Sequence, residues 1–242
     1  MRYMRAIFVV FSLALAASTA IADVINGGFE TGNLTGWTVL GNAYVTNLYK
    51  IPDPWTWTVT PYQGNYMGVV GTGDSFTSAD VALLDAALGV TFPTGYYYGS
   101  AIYQDVYMKA SDKLAFAWDF LGVDLIDPDK GQYTWNDASW LTVYGKGSGY
   151  NSIYLLSNVF TVGSRSSSGW NTFDVTVPYT DTYRIGFTTI NWFDDEVESG
   201  LAVDAVQSPV GVPEPSLPIL LGLGIFSVLA FGWRHRTAKL LG

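Results

Sequence analysis

The sequence contains no cysteine and a single histidine, His235, which lies close to the C-terminus. The lack of cysteine excludes disulfide cross-links and thiolate chemistry, so packing or a bound metal must stabilise the folded part. The single histidine excludes Ser-His-Asp triads, Cys-His pairs and histidine-rich zinc sites from the long segment that precedes it. Carboxylate chemistry is therefore what remains for a catalytic role.

Basic residues are also scarce between the two ends of the chain. Residues 23–211 contain seven Lys and Arg residues against twenty Asp and Glu residues, which leaves a formal charge of −13. A charge of this sign repels nucleic acid and other anionic polymers, and it favours divalent cations or neutral ligands. We therefore expect no nucleic-acid partner.

Residues 1–22 have the features of a signal peptide. Arg2 and Arg5 precede an uncharged apolar run over residues 6–17, and the Ala-Ile-Ala sequence at 20–22 has the small-x-small pattern that signal peptidase cleaves. The apolar run is short for a retained membrane helix. We predict cleavage before Asp23 and export of the rest of the chain.

A second targeting segment occupies the C-terminus. Residues 217–233 carry no charge and would form about 26 Å of helix, enough to cross the hydrocarbon core of a membrane. The basic tail 234–242 follows directly, and basic flanks stay on the cytoplasmic side. We predict a single transmembrane helix with residues 23–211 outside, which is the topology that the signal peptide also requires.

The linker 208–216 that precedes this helix ends in a proline-rich block. The block consists of Val212, Pro213, Glu214, Pro215 and Ser216. This block, the glycine-containing apolar helix and the arginine-containing end together resemble the sorting signal of PEP-CTERM proteins. The resemblance implies recognition by exosortase, a membrane enzyme of Gram-negative bacteria that make extracellular polysaccharide, and removal of the tail near the block.

The same resemblance implies a particular route for the protein. The precursor would be anchored in the inner membrane with its domain outside, so its contact with the membrane would be transient. The processed protein would then reach the cell surface or an extracellular biofilm matrix. The alternative is a permanently anchored envelope protein whose tail is never removed.

Between the targeting segments, apolar residues alternate with polar ones at a period of two, which is the pattern of half-buried strands. The alternating runs are 114–120, 141–143, 173–177, 183–187 and 201–205. We predict an all-β fold over residues 23–207, a jelly-roll β-sandwich with one short helical insertion. The helix is predicted at residues 80–88, after a capping Ser78 and before Gly89.

Short motifs near both ends of this domain fall in a recognisable order. They include Gly-Gly-Phe-Glu at 27–30, Gly-Trp at 169–170 and Ala-Val-Asp at 202–204. Their order resembles galactose-binding-like jelly rolls, the fold of many carbohydrate-binding modules. The resemblance implies that Glu30 and Asp204 meet at a structural Ca²⁺, an ion that prefers such oxygen ligands. The alternative is that both carboxylates face solvent or accept hydrogen bonds from backbone amides.

Aromatic side chains in predicted loops are the candidate ligand-binding residues. They are Trp55, Trp57, Tyr62, Tyr96, Tyr97 and Tyr98. An exposed ring can cover the C–H face of a pyranose, and the alternative is ordinary packing in the core and rim of a sandwich. Two acidic stretches, 124–137 and 194–198, are expected to be solvated loops.

These patterns predict a non-catalytic exported protein that associates with extracellular polysaccharide. The alternative is a carboxylate-dependent glycan-active enzyme built from the two acidic stretches. A glycosidase needs two carboxyl groups about 5–10 Å apart in a cleft, and the spacing along the chain singles out no such pair. The sequence therefore assigns no catalytic residue.

Overall fold

The structure, a computed structural model, describes residues 23–51, 57–73, 78–126, 135–192 and 197–208. These residues form two six-stranded antiparallel sheets and one small hairpin, so the predicted all-β sandwich is confirmed. The predicted signal peptide, proline-rich block, membrane helix and basic tail lie outside the described residues. No helix within the described ranges has the length and apolar character needed to span a membrane.

The elements have the following bounds. The strands are β1 Thr38–Leu40, β2 Ala43–Thr46, β3 Tyr49–Lys50, β4 Thr58–Val59, β5 Met67–Gly71, β6 Ala79–Asp80, β7 Tyr96–Met108, β8 Lys113–Gly122, β9 Ala138–Gly145, β10 Asn151–Asn158, β11 Ser166–Ser167, β12 Asn171–Thr176, β13 Asp181–Trp192 and β14 Gly200–Gln207. The helices are α1 Val81–Leu88 and α2 Val159–Val162.

Sheet A has the strand order β1-β7-β13-β9-β10, with β6 also paired to β7. Sheet B has the order β11-β8-β14-β5-β2, with β12 also paired to β8. Among the described strands, β13 and β14 come last in sequence, and each lies inside its sheet, β13 in sheet A and β14 in sheet B. Each sheet is therefore complete only when its own late strand has joined. We call the side of each sheet that points away from the other sheet its outer face.

The main core fills the space between the two sheets. Leu114 and Phe116 of β8 meet Tyr183, Ile185 and Phe187 of β13 there, and each of these side chains is at most 3% exposed. The predicted alternation of β8 and β13 is therefore confirmed. Because each strand buries every second side chain on this side, its remaining side chains point to an outer face.

The predicted run at 201–205 is wrong at its last position. Leu201 and Val203 point into the core, but Ala205 has a positive φ of 54° and Val206 takes the next inward position. The cause is a register shift between Asp204 and Gln207 opposite β8, which is a β-bulge. The backbone N–H of Val206 then donates to the carbonyl of Gly27 at 2.9 Å.

Helix α1 lies on the outer face of sheet A, within the predicted range. It buries Leu84 and Leu88, and it ends at Gly89 in the left-handed conformation, as predicted. Its N-terminal cap is Asp80 rather than the predicted Ser78, since Asp80 Oδ1 accepts the backbone N–H of Ala82 at 2.7 Å. The prediction of one helix is incomplete, because α2 forms a second, single-turn helix.

Two members of the acidic stretches are not solvated. Asp124 is 3% exposed and Asp137 is fully buried, so the expectation of a solvated loop is wrong for both residues. Asp124 follows the end of β8, and Asp137 directly precedes β9. Asp124 Oδ1 accepts the backbone N–H of Leu125 at 2.6 Å, and Asp137 Oδ1 accepts the backbone N–H of Trp192 at 3.1 Å.

Candidate functional site

The outer face of sheet B holds a row of side chains from four neighbouring strands. The strand register places Asp119 opposite Ala202, Ala202 opposite Val69, and Val69 opposite Tyr44. Neighbouring strands lie about 4.8 Å apart, so the row from Asp119 to Tyr44 spans about 14 Å. The β3–β4 hairpin packs over part of this row, with Val59 in contact with a small cluster that includes Val69.

A groove of about 450 Å³ opens between the hairpin and the segment that follows β11. We call it the tryptophan groove. Its lining includes Trp57, Val59, Thr60, Asp119, Ser167 and Trp170. The two indole rings therefore come from segments more than 100 residues apart in sequence, one before β4 and one before β12.

Both indole rings are fixed by hydrogen bonds across this groove. Trp57 Nε1 donates to the carbonyl of Arg165 at 2.7 Å, and Trp170 Nε1 donates to the carbonyl of Thr60 at 2.9 Å. A ring that is already held loses little conformational entropy when a ligand packs against it. The groove therefore has two preorganised aromatic surfaces.

Asp119 lies at the floor of the tryptophan groove and is 1% exposed. Its two carboxylate oxygens accept the Ser167 hydroxyl at 2.7 and 2.8 Å, and Oδ1 also accepts the Ser168 hydroxyl at 3.1 Å. Burial raises the pKa of Asp119, whereas the hydrogen bonds from these serines oppose that rise. Asp119 thus holds the turn that precedes Trp170, and we regard it as a positioning residue.

The aromatic surface continues on both sides of the groove. Next to Trp170, the Tyr62 ring lies 5.7 Å away and borders a depression of about 300 Å³. Next to Trp57, the Tyr49 ring lies 6.0 Å away and borders a depression of about 400 Å³ that also contains Tyr44. Five aromatic side chains therefore follow one another across the outer face of sheet B.

Two of the predicted ligand-binding aromatics belong to this surface, namely Trp57 and Tyr62. Trp55 lies outside the described residues. Trp170, Tyr44 and Tyr49 also belong to this surface, although none of them is a predicted ligand-binding residue; Trp170 is part of the Gly-Trp motif that indicates the fold. The signal for Trp170 is its place next to a serine and glycine turn between two strands, which is where binding residues are often found.

The predicted tyrosine run lies elsewhere. Tyr96, Tyr97 and Tyr98 form the start of β7 in sheet A, rather than a loop. Tyr96 packs edge-on against Trp192 with ring centroids 4.6 Å apart, and burial raises the pKa of Tyr96 to about 12. Tyr97 points outward and is 51% exposed. These tyrosines therefore do not contribute to the tryptophan groove.

The structure brings Glu30 and Asp204 to one place beside Gly28. A β-carbon at Gly28 would lie 3.8 Å from Asp204 Oδ1 and 3.8 Å from Glu30 Cγ. Asp204 is fully buried, and it accepts the backbone N–H groups of Gln63 at 2.9 Å and Ala205 at 2.6 Å. Burial raises the pKa of Asp204 to about 6, and the charge of Glu30 contributes to that rise.

Glu30 is exposed and accepts hydrogen bonds from the segment before β5. Its Oε1 accepts the backbone N–H groups of Asn65 at 2.9 Å and Tyr66 at 3.1 Å. These hydrogen bonds lower the pKa of Glu30. Both carboxylates thus accept backbone amides, which is the alternative considered for them, and they also form the adjacent pair that a cation would neutralise.

The two carboxylates fit a Ca²⁺ site only if backbone carbonyls supply further ligands. The described ranges contain no group of three or more His, Cys, Asp or Glu side chains that could hold a metal ion. Asp204 nevertheless combines full burial with a neighbouring negative charge, and a bound cation would relieve both. The donor set is therefore compatible with Ca²⁺.

Neither the known family models nor the sequences of curated proteins match this chain. Several solved structures are similar at low identity. TmCBM61 in complex with beta-1,4-galactotriose has 15% identity and a TM-score of 0.42, and the match covers 77% of this chain and 97% of that one. The K3 cleaved adhesin domain of Lys-gingipain from Porphyromonas gingivalis W83 has 12% identity and a TM-score of 0.42, covering 77% and 98%.

A third similar structure is the CBM22-1 xylan-binding domain of Xyn10C from Paenibacillus barcinonensis. It has 14% identity and a TM-score of 0.37, and the match covers 80% of this chain and 97% of that one. At TM-scores below 0.5, these likenesses carry no argument about what this chain binds. The sandwich fold and the tryptophan groove are features of the chain's own structure.

Proposed function

We propose that the folded domain binds a neutral polysaccharide along the outer face of sheet B, as part of a non-catalytic exported surface or matrix protein. The main support is the pair of fixed indole rings, Trp57 and Trp170, that line the tryptophan groove. Aromatic rings bury large areas and combine an apolar face with a polar edge. This combination suits the C–H faces and hydroxyl edges of sugars.

The surroundings of the groove favour a long, uncharged ligand. The depressions beside Tyr62 and Tyr49 extend the aromatic surface beyond the groove on both sides. The formal charge of −13 over residues 23–211 would repel an acidic polymer. A neutral chain that lies across several aromatic side chains meets both conditions.

The alternative, a glycan-active enzyme, has less support from the groove. Asp119 is the carboxylate that lines it among the described residues, and both Asp119 oxygens accept serine hydroxyls. A glycosidase requires a second carboxyl group on the other side of the scissile bond. Binding without cleavage therefore accounts better for the residues that are present.

The experiment is to incubate the full-length chain with a panel of neutral and acidic polysaccharides and to measure binding and released reducing ends in parallel. We expect binding to one or more neutral polysaccharides without release of reducing ends. Cleavage that disappears in Asp119→Asn would contradict the non-catalytic proposal. Binding to none of the neutral polymers would contradict the proposed ligand class.

We further propose that signal peptidase removes residues 1–22 and that exosortase removes the C-terminal tail. The support is the order of the proline-rich block, the apolar segment and the basic end in the sequence. Mass spectrometry of the exported protein from a Gram-negative host that has exosortase should then find a new C-terminus near Glu214. Recovery of an exported chain that still ends at Gly242 would show a permanent anchor instead.

We also propose that Glu30 and Asp204 hold a structural Ca²⁺, which when bound supplies the positive charge that neutralises the pair. Their carboxylates already accept hydrogen bonds from the backbone N–H groups of Gln63, Asn65 and Tyr66, which belong to one segment. The same segment includes Tyr62, and the carbonyl of Thr60 at its start accepts the Trp170 indole. An ion at this place would therefore stabilise one wall of the binding surface.

Removal of Ca²⁺ is expected to lower the thermal midpoint of the full-length chain. An ion present at 100 times its dissociation constant stabilises by about 2.7 kcal/mol, or a midpoint shift of about 5–10 °C at this size. Calorimetry with and without chelator measures the shift, and Glu30→Gln and Asp204→Asn should each reduce it. Asp174→Asn, which removes an exposed carboxylate paired with Lys113, is the control and should leave it unchanged. A full response in both Glu30→Gln and Asp204→Asn would contradict this site.

A further inference from the structure

The depression of about 400 Å³ beside the Tyr49 ring has a polar as well as an aromatic lining. In addition to Tyr44 and Tyr49, it is lined by Asn42, Lys50 and Glu198, which carry an amide, an ammonium and a carboxylate group. We call it the Glu198 depression. It combines two aromatic rings with charged and amide groups, so it offers a ligand both apolar and polar contacts.

The Glu198 carboxylate is held by Asn42. Asn42 Nδ2 donates to Glu198 Oε2 at 3.1 Å. The backbone of Asn42 is itself fixed by both sheets, because its N–H donates to Ser100 Oγ of β7 at 2.7 Å and its carbonyl accepts the N–H of Gly71 of β5 at 3.0 Å. A ligand that binds the carboxylate therefore does not have to order it first.

Gly71 leaves the space that this pair of side chains needs. A β-carbon at Gly71 would lie 3.2 Å from Asn42 Nδ2 and 3.7 Å from Glu198 Oε2. The first distance is tighter than ordinary van der Waals contact, so a larger residue would press against the amide. Gly71 also lines the Glu198 depression, and its missing side chain keeps the depression open.

Three oxygen atoms of the depression are open to a ligand. Among the described residues, none donates to Glu198 Oε1, and none forms a hydrogen bond with the hydroxyl groups of Tyr44 or Tyr49. Burial is the main cause that raises the pKa of Tyr44 and that of Tyr49, and the negative charge of Glu198 contributes to both rises. The carboxylate and the two hydroxyls therefore lie close enough to interact with one bound group.

The Glu198 depression and the tryptophan groove can be reached by a single ligand. The Tyr49 ring lies at the depression, the Trp57 ring lines the groove, and their centroids are 6.0 Å apart. Consecutive units of one polysaccharide can therefore lie against both places.

We propose that the Glu198 depression binds one sugar unit of the polysaccharide through neighbouring hydroxyl groups, which donate to Glu198 and form hydrogen bonds with Tyr44 and Tyr49. A carboxylate accepts hydrogen bonds on two oxygens, and hydrogen bonds to a charged acceptor are stronger than neutral ones. This inference rests on the proposed polysaccharide binding. It adds that the sugar unit at this place carries free hydroxyl groups rather than ether or ester substituents.

The two charged groups of the depression favour a neutral sugar unit. An acidic sugar would be repelled by the carboxylate of Glu198, and an amino sugar would be repelled by the ammonium of Lys50. A hydroxyl group can donate to the first and accept from the second. An unsubstituted neutral sugar is therefore the ligand that suits both groups.

The test uses the full-length chain and the neutral polysaccharide that it binds most tightly in the panel described above. Glu198→Gln removes the charge and one acceptor oxygen, and hydrogen bonds to a charged group account for about 10- to 100-fold in affinity. We expect Glu198→Gln to weaken binding by about 10-fold or more. Tyr44→Phe retains the ring and loses only the hydroxyl, so it should weaken binding by about 2- to 10-fold.

A partially O-methylated preparation of the same polysaccharide tests whether hydroxyl groups are recognised. Methylation should weaken binding to the unsubstituted chain more than binding to Glu198→Gln, because that variant has already lost the acceptor. Any loss caused by methyl groups in the tryptophan groove is common to both proteins, so the difference between them isolates Glu198.

Asp112→Asn is the matched control, because it also removes one negative charge. Asp112 directly precedes β8, whereas Gly200, two residues after Glu198, pairs with Leu121 at the other end of β8. Almost the whole length of β8 therefore separates Asp112 from the Glu198 depression. The affinity of Asp112→Asn should equal that of the unsubstituted chain.

Two results would overturn this inference and leave the proposed function in place. One is an unchanged affinity in both Glu198→Gln and Tyr44→Phe while Trp170→Ala loses affinity. The other is an equal effect of methylation on the unsubstituted chain and on Glu198→Gln. A chain that binds no neutral polysaccharide would contradict both proposals. Thermal midpoints separate a loss of binding from a loss of fold, and if Glu198→Gln does not fold, Tyr44→Phe takes its place in the comparison of the two polymers.

Discussion

Replacing Trp170 with alanine is expected to lower the affinity for the bound polysaccharide about 10- to 100-fold. The variant removes one of the two fixed indole surfaces of the tryptophan groove, and truncation of a central aromatic residue commonly costs about 2 kcal/mol or more of binding free energy. It also removes the hydrogen bond to Thr60, so the loss includes some positioning of the facing wall. Titration calorimetry with a polysaccharide that the full-length chain binds gives the affinity directly.

Trp57→Ala should show a loss of similar size, since its ring forms the opposite wall of the same groove. Tyr97→Ala is the matched control, because Tyr97 is 51% exposed and belongs to β7 of sheet A, whereas the groove lies on the outer face of sheet B. Thermal midpoints of all three variants separate a loss of binding from a loss of fold. If Tyr97→Ala abolished binding and Trp170→Ala did not, the binding surface would have to be assigned to sheet A.

Of the substitutions that add a single methyl group to this domain, Gly27→Ala is expected to lower the free energy of unfolding the most. A β-carbon at Gly27 would overlap the carbonyl oxygen of Val206. The two backbones cannot separate freely, because the Val206 N–H donates to the Gly27 carbonyl and Val206 itself is buried in the core. Overpacking against backbone that cannot move typically costs about 1–3 kcal/mol or more. We expect a cost of about 3 kcal/mol, the upper end of that range, which corresponds to a fall of about 6–12 °C in the thermal midpoint.

The neighbouring glycine provides a close control for this effect. A β-carbon at Gly28 would have its nearest atoms at 3.8 Å, which is ordinary van der Waals contact. Gly28→Ala should therefore have a midpoint close to that of the unsubstituted chain in the presence of chelator. Equal losses in the two variants would show that the early loop is sensitive to any substitution, and that contact with Val206 is not the cause.

Local patterns in the sequence account for most of the fold that was predicted. The alternation of Tyr183, Ile185 and Phe187 places these residues correctly, because the side-chain period of a strand depends only on neighbouring residues. The end of α1 at Gly89 is predicted for the same reason, since a left-handed cap is a local preference. The bulge at Ala205 is missed, because it depends on pairing with another strand.

The binding surface could not be predicted to the same degree. The indole N–H of Trp57 donates to the carbonyl of a residue 108 positions away, and that of Trp170 donates to the carbonyl of a residue 110 positions away. Such contacts depend on strand order and register, which many sequences of similar composition could satisfy in different ways. Composition identifies a chain rich in aromatic residues, but it does not show which rings face each other.

The sequence by itself therefore excluded thiolate chemistry and histidine-dependent sites from the folded domain, and it predicted the alternation of the strands. Through its resemblance to a known fold, it also predicted that Glu30 and Asp204 meet. Only the tertiary structure decided that Trp57 and Trp170 form one groove, that the predicted tyrosine run belongs to the other sheet, and that Asp137 is buried. The physical reason is that a charged side chain is buried, or an aromatic ring is exposed, according to where the folded chain places that side chain relative to the two sheets. That placement follows from the pairing of distant strands, and β13 and β14 complete both sheets only at the end of the domain.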